Sequence, residues 1–190
     1  HSDAQFNKQG DELLLELSSQ MPTTRWTFMA SLKAINILHA MGKTERASQL
    51  AGEFGQPSDL DEVLLLEKDM ALAFHELTLG RRDEGLSRFE KVVEQAPIAS
   101  RLRASALLEI ARLVRETEPR RAADLYYDFY TLYPQHPERQ DALVWCCRLN
   151  VQSYKRELDG EQRRIELERL ISKIDSNDDR ERLIEILKQP

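Results

Sequence analysis

Helix breakers punctuate this chain at short intervals, and the stretches between them carry helical rather than strand periodicity. Pro22, Gly42, Gly55 with Pro57, Gly80, Pro97, Pro119, Pro134 with Pro137, and Gly160 mark the breaks. Between them, apolar residues recur three and four positions apart, the spacing that lines one face of a helix. Leu86, Phe89, Val92 and Val93 form one such stripe, with Arg88, Glu90, Lys91 and Glu94 facing away. Leu125, Phe129 and Leu132 form a second, and Leu167, Leu170, Ile171 and Ile174 a third. No Val/Ile/Thr-rich alternating run is bounded by Asn-Gly or Asp-Gly, so strand signals are nearly absent. The pattern predicts about ten helices of roughly 12 to 20 residues joined by short turns. Short connections make neighbouring helices antiparallel. The expected fold is all-α.

A chain of 190 residues is long enough to bury a shared core. With 41% hydrophobic and 32% charged residues it belongs among ordered domains rather than disordered chains. No apolar run approaches the roughly 20 residues of a membrane span; Leu13-Leu14-Leu15 is broken at once by Glu16. The first residue is His1 and no signal-peptide pattern follows, so the chain reads as an excised or processed segment. A net charge of −6 gives no general attraction to nucleic acid or anionic lipid. Cys146 and Cys147 are adjacent and point about 100° apart on a helix, which strains a bond between them. Two buried, reduced thiols are expected, as in a reducing compartment or a sheltered site.

Catalytic and metal signatures are weak. His75-Glu76 opens like a zinc-protease motif, but Leu79 stands where the second histidine belongs. Gly80-Arg81-Arg82 has one glycine and no following Lys-Ser/Thr, so it is no phosphate loop. No serine or cysteine has a base and an orienting group in its sequence neighbourhood. No enzyme activity, metal or cofactor is expected. Tyr126, Phe129, Tyr130 and Tyr133 share one helix face and can pack on Trp145 of the next helix. Beside Arg120 and Arg121, with Tyr127, the same helix could instead stack nucleobases. Arg101, Arg103, Arg112, Arg115, Arg120 and Arg121 alternate with Glu109, Glu116 and Glu118, and a solvated face is the commoner use of such a stretch.

The breakers also repeat in register. Ala73, Gly80, Gly85, Phe89 and Pro97 place a small residue and a turn glycine before a second helix. That helix is marked by a small residue, an aromatic four later and a proline eight after that. Ala122, Tyr126 and Pro134 repeat the ending, and Gly42, Ala47, Phe54 and Pro57 give an earlier version. These landmarks resemble the tetratricopeptide repeat, in divergent form. Asp69 stands where a large residue is usual and Glu76 where a tyrosine is usual, and the units are 38 and then 37 residues apart rather than 34. The resemblance implies a right-handed α-solenoid of antiparallel helix pairs as one domain over 1–190. Helix 3–20 would cap the start, three pairs would span 28–136, and a divergent pair and capping helix would fill 138–188.

In this family the first helix of each pair lines the concave face. The resemblance therefore implies a partner-binding groove of Met29, Leu32, Asn36 and His39, then Met70, Phe74, Leu77 and Thr78. Arg103, Leu107, Ala111 and Arg115 would follow in the third unit. The expected occupant is a peptide or amphipathic helix of another protein, since methionine adapts to varied shapes. A chain-terminal carboxylate fits poorly, because only Asn36 is in place for it. Helix 3–20 or a second copy of the chain, as a homodimer, could cover the same strip. Tyr133-Pro134-Gln135-His136-Pro137 resembles the ends of second helices in cell-envelope assembly proteins of this family. The expected function is thus a protein-binding scaffold or adaptor, with a nucleic-acid-linked repeat using Arg101 to Arg121 as the alternative.

Overall fold

The computed structural model describes Glu16 and residues 25–52, 61–154 and 161–188. Among these residues there are nine helices and no strand. The chain divides into two compact units, His1–Ala96 and Pro97–Pro190. The expected helix 3–20, apart from Glu16, lies outside the described residues, as do Phe54 and Pro57.

The first unit contains α1 (Arg25–Ala40), α2 (Thr44–Gly52), α3 (Glu62–Thr78) and α4 (Arg82–Gln95). On α1, the buried stripe Phe28, Leu32, Ile35 and Leu38 follows helical spacing. Its front half packs with Leu64 and Ala71 of α3, and its rear half with Ala47 of α2. Gly42 and Gly80 adopt φ of 71° and 76°, the left-handed region open to glycine. Each lets the next amide reach back five residues, Lys43 N–H to the Leu38 carbonyl at 2.8 Å and Arg81 N–H to the Glu76 carbonyl at 2.9 Å. Asp61 starts α3 by accepting the Leu64 N–H at 2.8 Å.

The α3–α4 pair shows how the repeat landmarks pack. Gly85 is buried against α3, and a Cβ there would stand 2.8 Å from Leu77 Cδ2 and 3.0 Å from the Ala73 carbonyl oxygen. Four residues on, Phe89 is fully buried with its ring edge-on to Phe74, centroids 5.1 Å apart. Nearer the other end, Asp69 is buried and paired with Arg88 Nη1 at 3.2 Å and Lys91 Nζ at 2.7 Å. As the α3 partner moves from 77 to 69 the α4 partner moves from 85 to 91, so the two helices are antiparallel.

The second unit contains α5 (Arg101–Val114), α6 (Pro119–Leu132), α7 (Arg139–Tyr154), α8 (Glu161–Ile171) and α9 (Asn177–Lys188). Ser100 caps α5 through the Arg103 N–H, and Pro119 occupies the first turn of α6 where its missing N–H costs nothing. Each consecutive pair of these helices packs together, and α9 also returns to α7. Ala122 and Tyr126 repeat the buried roles of Gly85 and Phe89. Tyr126, Phe129, Tyr130 and Tyr133 are all buried, while Tyr127 is exposed. Tyr126 stacks on Trp145 at 6.4 Å between centroids, and Arg139 caps the Tyr130 ring at 4.1 Å. Leu143, Cys147, Val151, Leu167, Ile171, Ile174, Leu183 and Leu187 close the core. Cys146 and Cys147 are free thiols inside it. No helix among the described residues is long and apolar enough to cross a membrane.

Candidate functional site

The residues expected on the groove of the first unit separate into two groups. Leu32 is 6% exposed, packed with Phe28, Leu64 and Ala71, and Met70 is 8% exposed. Neither presents its side chain at a surface; both are core residues. Met29 is half-buried against the same cluster, and Leu77 is half-buried against Gly85. Asn36, Phe74 and Thr78 are exposed, with the Thr78 hydroxyl returned to the Phe74 carbonyl at 2.9 Å.

His39 does something the sequence did not show. Its Nε2 lies 2.7 Å from Nδ1 of buried His75, joining α1 to α3, while its own Nδ1 is buried with no hydrogen-bond partner among the described residues. Desolvation lowers both pKa values; for His75, His39, Arg81 and Arg88 add to the lowering and Glu76 opposes it. Two imidazoles make half a metal shell, and among the described residues no three His, Cys, Asp or Glu side chains converge.

In the second unit, Leu107 and Ala111 are buried and Arg103 is half-buried near Tyr133. Arg115, just past the end of α5, stands at an open cleft of about 380 Å³ between α5, α6, α7 and α9. The helix C-terminus favours a cation there. Its guanidinium carbon lies 4.1 Å from the centre of the Trp145 ring, close enough for a cation–π contact. Trp145 is held in turn by Tyr126 beneath it and by Arg148, one turn along α7, at 5.2 Å. The Tyr126 hydroxyl lines the cleft beside Arg115 and, among the described residues, no group meets it at full hydrogen-bonding geometry. Burial raises its pKa, and the nearby Arg115 and Arg112 pull the other way.

The three cleft arginines differ in what they hold. Arg112 places one terminal nitrogen on Glu109 and the other on Glu138, in the loop before α7. Burial opposes its charge, but those two carboxylates outweigh it and raise its pKa. Arg148 pairs with Asp179 in the first turn of α9 at 2.8 Å. Arg115 reaches only Glu116, its own neighbour, through Nε at 3.2 Å, and Glu116 is 79% exposed. Its terminal nitrogens face no carboxylate among the described residues.

Sequence reading found Arg115 but missed its setting. The readable signal was Trp145 and Arg148 three apart on one helix face; the distant partners Glu138 and Asp179 left none. The basic stretch as a whole is interleaved with carboxylates, since Arg121 also pairs with Glu118 at 3.3 Å. Compared with protein-family models and with curated protein sequences, the chain matches none.

Proposed function

We propose that this chain is a protein-binding module, a divergent tetratricopeptide-like scaffold or adaptor with no reaction of its own. The repeat landmarks support the family reading: Gly85 and Ala122 buried where helices meet, Phe89 and Tyr126 filled in four residues later, and prolines just beyond each second helix. The observation that carries the binding reading is Arg115. Its guanidinium carbon lies over Trp145 at an open cleft and its terminal nitrogens serve no carboxylate among the described residues. Arg and Trp are the residue types most enriched at the energetic centres of protein interfaces. Exposed Phe74 would add an apolar contact on the other unit.

The test is affinity capture with the full-length parent, comparing the wild type with Arg115→Glu and Phe74→Glu. A protein recovered in stoichiometric amount with the wild type and lost with Arg115→Glu, the variant staying helical by circular dichroism, supports the reading. Recovery that ignores both substitutions, or of nucleic acid released by salt, refutes it.

A further inference from the structure

We propose that the α5–α7 cleft receives a single carboxylate, the side chain of an aspartate or glutamate on a partner's extended segment, seated on the fork of Arg115. This deepens the protein-binding reading and rests on it.

Charge accounting sets the ligand class. Arg112, Arg115 and Arg148 line the cleft against Glu138, Asp141 and Asp179, so its net charge is near zero. Arg112 is consumed by Glu109 and Glu138, and Arg148 by Asp179. Among the described residues that line the cleft, Arg115 is the cation whose terminal nitrogens face no carboxylate. A polyanion gains nothing from such a balanced surface, which argues against a nucleic-acid backbone. A phosphate, carrying more than one charge, meets Asp141 and Asp179 at once. A carboxylate brings one charge and two coplanar oxygens, which the planar guanidinium matches.

Geometry adds direction. Nε of Arg115 is turned to Glu116 and its guanidinium carbon lies over the Trp145 ring, so Nη1 and Nη2, beside the Tyr126 hydroxyl, are the nitrogens an arriving carboxylate would meet. Stacking limits the rotamers that must be frozen on binding. The buried Tyr126 hydroxyl lies beside Arg115, which can only donate to its oxygen, so its own O–H is a second donor for an arriving oxygen. The cleft lies open along α5 and α7 rather than closed, and small-molecule sites enclose most of their ligand. A passing chain that drops one side chain into it fits better.

The probe is a short peptide, acetylated and amidated, with one central glutamate between leucines. A Trp26→Phe background makes Trp145 the sole tryptophan. Trp145 emission and the Arg115 Nε resonance are followed during titration. The expected result is a saturable change in both. Affinity falls about tenfold or more with Arg115→Gln or with glutamine in the peptide, as for loss of a charge-assisted hydrogen bond. Arg164→Gln, on α8 and outside the cleft lining, leaves it unchanged. Equal binding of the glutamate and glutamine peptides overturns the proposal. So does stronger binding of a glutamine peptide with a free C-terminus, a response to inorganic phosphate alone, or no response at all. If the peptides fail while Arg115→Glu still abolishes capture of a partner, the carboxylate is wrong and the binding module stands. If capture ignores Arg115 as well, both fall.

Discussion

Gly85→Ala isolates the contact that sets the α3–α4 spacing. The new Cβ meets Leu77 Cδ2 at 2.8 Å, Ala73 carbonyl oxygen at 3.0 Å and Leu77 Cγ at 3.0 Å. Helix propensity alone favours alanine over glycine by about 0.5–1 kcal/mol. Overpacking of a core costs about 1–3 kcal/mol. The Leu77 methyl can rotate away, but the Ala73 oxygen belongs to the α3 backbone, so α4 itself must move. The expected net loss is about 1 kcal/mol, a fall in Tm of roughly 2–4 °C for a chain of this size. Gly85→Leu, adding three more heavy atoms at the same point, should cost about 3 kcal/mol. The decisive measurement is a double-mutant cycle with Leu77→Ala, read as urea midpoints by circular dichroism. Leu77→Ala removes two of the three close contacts. In that background the cost of Gly85→Ala should fall by more than about 0.5 kcal/mol without becoming a gain, because the Ala73 oxygen still opposes the new Cβ. Additivity within about 0.5 kcal/mol, or stabilisation by Gly85→Ala in the wild-type background, refutes the close-approach argument.

Other outcomes follow from the same structure. Asp69→Ala leaves Arg88 and Lys91 without their carboxylate at a part-buried place and should cost about 1–3 kcal/mol by urea titration; an unmoved midpoint speaks against the ion triad. Because burial lowers His39 and His75 below the ordinary histidine value near 6.5, the unfolded chain binds more protons there. Their stabilising effect is complete above that pH and is lost as pH falls below it. Replacing both by glutamine should flatten the stability slope between about pH 7 and 5.5, and an unchanged slope counts against the pair. Burial pushes the Cys146 thiol up to about 11 and Cys147 to about 12. Neither should react with iodoacetamide near pH 8 until urea is added, and mass spectrometry of rapid modification in native buffer would contradict this.

The helices were legible because their signals are local. Apolar stripes, the glycines at 42 and 80, and the small–aromatic–proline offsets around Gly85 and Ala122 all act within one helix pair. The expected span 138–158 became Arg139–Tyr154 within the described residues, and 178–188 became Asn177–Lys188. Face assignment was harder. Neighbouring positions on a helix differ by 100°, so the step from surface to core is a single residue, and Leu32 and Met70 lie in the core. Asp69 read as a departure from the repeat pattern. Its buried carboxylate is explained by Arg88 and Lys91 on the next helix, and nothing in a linear sequence says which charges will meet across helices. The Arg112–Glu138 and Arg148–Asp179 pairs were invisible for the same reason.

That distinction also separates Arg115 from the arginines around it. Arg88 ties α4 to α3, Arg112 ties α5 to the loop before α7, and Arg148 ties α7 to α9. Each bridges two elements, so its removal strands a carboxylate on a neighbour and loosens a helix contact. Among the described residues Arg115 pairs by charge only with the next residue along the chain, whose carboxylate is in solvent, and such exposed pairs contribute about 0–1 kcal/mol. Beyond that it is held by the Trp145 face, worth about 0.5–1 kcal/mol where exposed, and lies beside the Tyr126 hydroxyl. A residue selected for packing alone has no need of a charge at this place; leucine would cover Trp145 without the desolvation of a guanidinium. Low cost to stability combined with large loss of binding is therefore the signature expected of Arg115→Gln, and the reverse of Arg112→Gln. Should both substitutions lower stability alike and leave capture intact, the cleft is only a seam between helices.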